Sequence, residues 1–133
     1  MLSGIKILVA EDNKLNQKII NFMLHKHGGE VAIASNGQEA ISLLQEHKFD
    51  IVLMDLQMPE MDGQTATRYI RQTLQVTTPI IAVTASTLTA EAEECMAIGM
   101  NAYVSKPLDA AMLCQLILKV TNEHKMLLGK KPI

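Results

Sequence analysis

Apolar residues fall along this chain in five short runs, most of them closed by a polar residue, with helically spaced stretches between them. Ile5-Lys6-Ile7-Leu8-Val9-Ala10 runs into Glu11 and Asp12, and Glu30 to Ala34 makes the second run. Ile51-Val52-Leu53-Met54 stops at Asp55, Ile80-Ile81-Ala82-Val83 stops at Thr84, and Ala102-Tyr103-Val104 stops at Ser105-Lys106-Pro107. Short, continuous apolar runs of this kind predict strands buried on both faces of a parallel sheet.

The stretches between them carry helix signals. From Lys14 to His27, behind Asn13 as N-cap, Ile19, Ile20, Met23 and His27 share one predicted face, with Leu15 and Phe22 seven apart at its edge; Gly28-Gly29 closes the helix. Asn36-Gly37 opens a helix with Ala40, Ile41 and Leu44 inward. Pro59 and Asp62-Gly63 make a loop, and Gln64 to Leu74 follows as a helix with Ile70 and Leu74 as its core candidates. Thr89 to Ile98 has acids in its first turns and Gly99 just past its end. Asp109 caps a last helix with an inward stripe of Leu113, Leu116, Ile117 and Val120, and His124 to Leu128 either extends it or drapes as a tail. Five strands alternating with five helices over short connections predict a doubly wound α/β domain.

At 133 residues the chain holds one domain. No apolar run approaches the roughly 20 residues that cross a bilayer, and no basic and apolar leader opens the chain, which leads us to expect a soluble, cytoplasmic domain. The net charge is −2 and basic residues do not cluster before Lys130-Lys131, which argues against direct nucleic-acid binding. Cys95 and Cys114 lack metal-ligand spacing and are expected to be free thiols.

In a doubly wound sheet the carboxyl ends of the strands share one edge, where ligand crevices form. Glu11, Asp12, Asp55, Thr84 and Lys106 therefore converge. Three carboxylates packed together repel, and a hard divalent cation removes the conflict; Mg²⁺ takes oxygen ligands and keeps several waters, so two carboxylates and a backbone carbonyl suffice. An acceptor carboxylate, a cation, an ammonium and a hydroxyl are what phosphoryl transfer to an aspartate needs, because its transition state spreads charge over three equatorial oxygens. Asp55 is the predicted nucleophile. A plain ion-pair network of buried acids and a lysine is the competing interpretation.

Glu11-Asp12-Asn13, Met54-Asp55-Leu56-Gln57-Met58-Pro59-Glu60-Met61-Asp62-Gly63, Thr84-Ala85 and Lys106-Pro107, in that order, resemble the receiver domain of two-component response regulators. The likeness spans residues 4–124 and leaves 125–133 as a C-terminal tail. It implies a flavodoxin-like five-stranded sheet of order 2-1-3-4-5 and phosphorylation of Asp55 by a histidine kinase or histidine phosphotransfer domain. It also implies Mg²⁺, or Mn²⁺ in its place, on Asp12, Asp55 and the Gln57 carbonyl, with Glu11 acting through water. The Lys106-Pro107 bond is expected to be cis. Thr84 and Tyr103 would be switch residues acting on a surface of the fourth helix, fifth strand and fifth helix, where partners or a second copy dock. Such a domain catalyses its own phosphorylation and dephosphorylation without being a turnover enzyme. The Glu-Asp-Asn-x-x-Asn-Gln and Met-Pro-Glu-Met-Asp-Gly phrases are most similar to receivers of hybrid sensor histidine kinases.

In this family Gln57 and Ser86 occupy places that influence phosphoryl lifetime; neither is an acid, so a long-lived phosphoryl group is expected. Leu15 and Phe22 either receive the helix bearing the phosphohistidine or widen the core stripe. An aspartyl-nucleophile phosphatase would need a second acid two residues past Asp55, where Gln57 stands. A flavodoxin would need a Ser, Thr and Gly-rich phosphate loop where Glu11-Asp12 would repel the ligand. A receiver that binds partners without phosphorylation is disfavoured by the complete set of acids, Thr84 and Lys106.

Overall fold

Strands β3 (Ile51–Asp55) and β4 (Ile80–Thr84) are buried along their whole length, as uninterrupted apolar runs at the centre of a parallel sheet must be. The computed structural model describes residues 1–86 and 88–129. β1 (Lys6–Ala10) completes the sheet centre, with β2 (Glu30–Ala34) and β5 (Ala102–Ser105) at the two edges. The order is β2-β1-β3-β4-β5 and each neighbouring pair is parallel, the flavodoxin-like arrangement. Five helices, α1 (Lys14–Lys26), α2 (Gly37–Glu46), α3 (Gly63–Gln72), α4 (Thr89–Ala97) and α5 (Ala110–Gly129), alternate with the strands.

The two-residue period of the strands sorts their side chains into two cores. Leu8, Val52, Met54 and Ile80 join the layer that packs α2, α3 and α4, while Ile7, Val9, Leu53 and Ile81 join the layer that packs α1 and α5. Strand order reverses between β1 and β3, so their carboxyl ends open a crevice that no crossover connection covers.

Most element boundaries match the sequence reading within two residues, and Asn13, Asn36 and Asp109 each accept a helix N-terminal amide as expected. The face of α1 does not match. Its buried residues are Gln17, Ile20 and Leu24; Ile19 is exposed, Met23 half-buried, and His27 follows the helix as its C-cap. Gln17 is the reason, because a polar residue takes the first inward position by donating to the Glu11 carbonyl and to Ser35 Oγ. Leu15, Ile19 and Phe22 form a second apolar stripe, nearly opposite the first at 3.6 residues per turn. With Phe22 70% and Leu15 67% exposed, neither widens the core.

The segment from His124 to Leu128 continues α5 to Gly129. Cys95 and Cys114 are free and buried, and burial pushes both thiols above their ordinary pKa, Cys95 further through Glu91 and Glu94. No helix among the described residues is long and apolar enough to cross a membrane.

Candidate phosphoacceptor site

Each group at the crevice is delivered by the end of a strand. Glu11 extends the β1 ladder by donating its amide to the Ala34 carbonyl at 2.9 Å. Its side chain is 2% exposed, one carboxylate oxygen accepting from the Asn13 amide at 3.0 Å. Asp12, the next residue, is exposed. Asp55, 5% exposed, ends β3 and accepts from the Gln57 amide at 3.1 Å. The next residue, Leu56, is tied to β4 through the Val83 carbonyl.

Lys106 closes the crevice from β5. Its amide donates to the Thr84 carbonyl at 2.7 Å, and its bond to Pro107 is cis, as expected. The ammonium lies 3.1 Å from Asp55 Oδ2 and 3.3 Å from Glu11 Oε1. Burial alone would lower the Lys106 pKa, but the hydrogen bonds and charges of Asp55 and Glu11 outweigh it and raise the pKa above 10.5. The lysine stays charged and offsets part of the repulsion between the acids.

One carboxylate oxygen from each of Glu11, Asp12 and Asp55 lies within 4.8 Å of the other two. Three carboxylates with no soft ligand suit a hard divalent cation, and the spacing lets one ion reach them directly or through water. The residues present fit Mg²⁺.

Thr84 sits at the end of β4, 1% exposed, but its hydroxyl turns toward α4 and donates to Glu91 Oε1 at 2.8 Å. Thr84 Oγ1 in turn accepts from the Ser86 amide at 3.1 Å. Ser86 Oγ accepts from the Leu88 amide at 3.1 Å, while the Tyr103 hydroxyl donates to the Ser86 carbonyl. The structure thus brings Glu11, Asp12, Asp55 and Lys106 together, whereas the hydroxyls of Thr84 and Tyr103 engage α4 and the loop before it. The Gln57 side chain is exposed and that of Ser86 half-buried.

Three contributors were not anticipated. Gln17 anchors the Glu11 backbone; its place in Asn-x-x-Asn-Gln was visible, its inward direction was not. Gly63 starts α3 so close to β3 that a Cβ there would lie 2.5 Å from the Asp55 carbonyl oxygen. Glu91 is separated from Thr84 by a loop whose path the sequence leaves open. Leu15 and Phe22 lie outside the crevice, but their stripe reaches it through a groove of about 430 Å³ lined by Glu11, Asn16, Ile19, Met23, Lys106 and Leu108.

A model of the response regulator receiver domain matches residues 7–118. Probable histidine kinase 4 of Oryza sativa subsp. japonica is 41% identical over 141 residues, which cover 90% of this chain and 14% of that protein; the chain spans about a seventh of this relative's length. The receiver domain of a Pseudomonas aeruginosa sensor histidine kinase, solved with magnesium coordinated in its active-site cleft, superposes with a TM-score of 0.82 at 37% identity, covering 90% of this chain and 99% of that one. A Saccharomyces cerevisiae response-regulator receiver, solved in complex with the histidine phosphotransfer signaling protein Ypd1, gives a TM-score of 0.83 at 29% identity over 93% of both chains. With its sheet order, its acidic crevice and a family match over nearly the whole chain, this protein belongs to the response regulator receiver domains of two-component phosphorelay signalling.

Proposed function

We propose that Asp55 is the phosphoacceptor of a Mg²⁺-dependent receiver spanning residues 4–124, phosphorylated by a histidine kinase or a histidine phosphotransfer domain. The observation that carries this is the Lys106 ammonium lying between Asp55 and Glu11, inside a carboxylate cluster at the β1/β3 crevice. An ion pair built only for stability would gain nothing from the third acid, Asp12, which is exposed and adds repulsion.

Asp55 attacks the phosphorus of a phosphohistidine. A carboxylate O–P bond forms, the N–P bond breaks, and the imidazole leaves with the bonding pair and takes a proton from solvent. Asp12, Asp55 and the Gln57 carbonyl would hold Mg²⁺, with Glu11 acting through water; Mn²⁺ could replace it. The bound cation supplies positive charge to the phosphoryl oxygens in the transition state. Lys106 meets a second oxygen, and the Thr84 hydroxyl a third once it turns from Glu91. That turn, with Tyr103, would rearrange the surface of α4, β5 and α5, where an effector or a second copy docks. The chain returns to its starting state only by losing the phosphoryl group, so it is a switch and not a turnover enzyme. With no acid at Gln57 or Ser86 to position an attacking water, the phosphoryl group should persist well beyond seconds.

The α1 stripe of Leu15, Ile19 and Phe22 is where the phosphohistidine partner would dock, as an apolar surface whose Ile19 lines a groove ending at Glu11 and Lys106, the two groups beside Asp55. With such donors the domain would lie in the cytoplasm, and a hybrid histidine kinase would be a parent protein in keeping with the relatives. Incubation with acetyl phosphate and Mg²⁺, followed by intact-mass measurement, tests the assignment. The parent should gain one phosphoryl group and Asp55→Asn none; equal labelling of both would remove Asp55 from its role.

A further inference from the structure

The first turn of α4 holds a carboxylate whose position is not explained by helix formation. Glu91 stands where an acid often reaches back to cap its own helix, yet α4 has no side-chain cap hydrogen bond at Leu88. Its Oε1 instead accepts the Thr84 hydroxyl at 2.8 Å. A threonine has one hydroxyl proton, and while Glu91 holds it, it cannot be donated toward Asp55.

We propose that Glu91 is a positioning residue that acts through Thr84: a latch that keeps the hydroxyl turned away from the phosphoacceptor and holds the N-terminal end of α4 down until a phosphoryl group competes for the same proton. The inference rests on the phosphoacceptor role of Asp55 and adds a residue that opposes activation.

The two ends of α4 are held unequally. Past its C-terminus, Arg71 donates to the Gly99 carbonyl at 2.9 Å and to Asn101 Oδ1 at 3.0 Å, from a helix on the same side of the sheet. At the N-terminal end the side-chain hydrogen bonds among the described residues are Thr84 to Glu91 and the Leu88 amide to Ser86 Oγ. Between them α4 buries one residue, Cys95. The Arg68–Glu94 pair, at 3.8 Å with both side chains largely exposed, adds little. A helix pinned at one end, shallowly seated along its length and latched at the other can swing when the latch opens. Ser86 connects the latch to β5, since its amide donates to Thr84 Oγ1 and its carbonyl accepts from Tyr103.

The latch is a hydrogen bond to a carboxylate, stronger than one between neutral groups but partly open to solvent. Removing it should raise the unlatched population on the order of threefold to tenfold. Glutamine keeps an acceptor oxygen at the same place, whereas alanine does not.

Two measurements on the full chain test this, both with Cys114→Ser so that Cys95 is the one thiol. In unphosphorylated protein, Glu91→Ala should speed maleimide labelling of Cys95 threefold to tenfold over Glu91→Gln on the scale above, beyond any change in urea stability, because both variants lose the charge beside the thiol and only glutamine keeps an acceptor for Thr84. With acetyl phosphate and Mg²⁺, Glu91→Ala should phosphorylate faster by a similar factor, and this gain should vanish in a Thr84→Val background. Unchanged Cys95 labelling in Glu91→Ala, equal acceleration in the alanine and glutamine variants, or a gain that survives Thr84→Val would each overturn the latch. A parent that takes up no phosphoryl group would count against Asp55 instead, and the labelling comparison would still decide the latch.

Discussion

The Lys106 ammonium lies 3.1 Å from the carboxylate of Asp55, a residue 51 positions earlier in the chain, and 3.3 Å from that of Glu11. Two nearly buried acids therefore share one half-buried cation. Lys106→Ala should leave their repulsion uncompensated and cost about 1–3 kcal/mol of stability without metal, a range lowered for the partial exposure of the lysine. The loss should shrink when Mg²⁺ is added. Urea unfolding with and without Mg²⁺ measures both, and an equal loss in the two conditions would mean that lysine and cation do not serve the same acids.

Metal binding should be visible as stability, since an ion that binds only the folded chain stabilises it by about 2.7 kcal/mol at a hundredfold excess over Kd. Mg²⁺ should raise the thermal midpoint of the parent by several degrees, and chelation should reverse the rise. Asp12→Ala removes the exposed acid without touching the core, so it should abolish the metal response while leaving metal-free stability nearly unchanged. Persistence of the full response in Asp12→Ala would exclude that carboxylate as a ligand.

Gly63 lets α3 start against the end of β3. An added Cβ would fall 2.5 Å from the Asp55 carbonyl oxygen and 3.0 Å from Leu56 Cα, both backbone atoms that have no rotamer to change. Gly63→Ala should cost about 1–3 kcal/mol, the range of overpacking in a well-filled interior. It should also slow acetyl phosphate labelling more than the stability loss explains, because the displaced backbone carries Asp55, the proposed phosphoacceptor. Normal labelling in a destabilised Gly63→Ala protein would show that α3 can retreat without moving Asp55.

The architecture was legible because continuous apolar runs ending on polar residues leave few alternatives to a parallel sheet, and such a sheet gathers strand ends at one edge. Glu11, Asp12, Asp55 and Lys106 follow from that alone. What stayed hidden depends on side-chain direction. On α1 two apolar stripes compete, and Gln17 inside the core makes the true inner face look polar. Thr84 was placed at the right strand end, yet the orientation of its hydroxyl is set by Glu91 across a loop. Arg71 offered no signal, although its donors reach Val76, Gly99 and Asn101, because their carbonyls come together only when α3, β4 and the end of α4 are assembled.

That clamp makes its own demand on chemistry. Arg71 Nε, Nη1 and Nη2 serve three acceptors at once, and Asn101 Oδ1 also accepts from the Ile80 amide at 2.9 Å. Arg71→Ala should cost on the order of 2–3 kcal/mol, since it strands half-buried carbonyls. Arg71→Lys should recover little of it, because an ammonium cannot reproduce the planar fork. Chemical denaturation of the two variants separates charge from geometry, and a lysine variant as stable as the parent would show that charge is enough.

The outer stripe of α1 offers a test that separates docking from chemistry. Leu15 and Phe22 are mostly exposed, and a surface substitution at such sites usually shifts stability by no more than about 0.5 kcal/mol. Leu15→Glu and Phe22→Glu should therefore fold normally and accept phosphate from acetyl phosphate at the parent rate, since a small donor reaches Asp55 without contacting α1. Transfer from a phosphorylated histidine phosphotransfer protein should fall at least tenfold in each, because a buried apolar contact is replaced by a charge that must be desolvated. A fall with both donors would place the defect in the crevice. Full transfer from the protein donor would move the docking surface elsewhere, with the groove along β5 and α5 around Tyr103, Pro107, Met112 and Leu116 the next face to substitute.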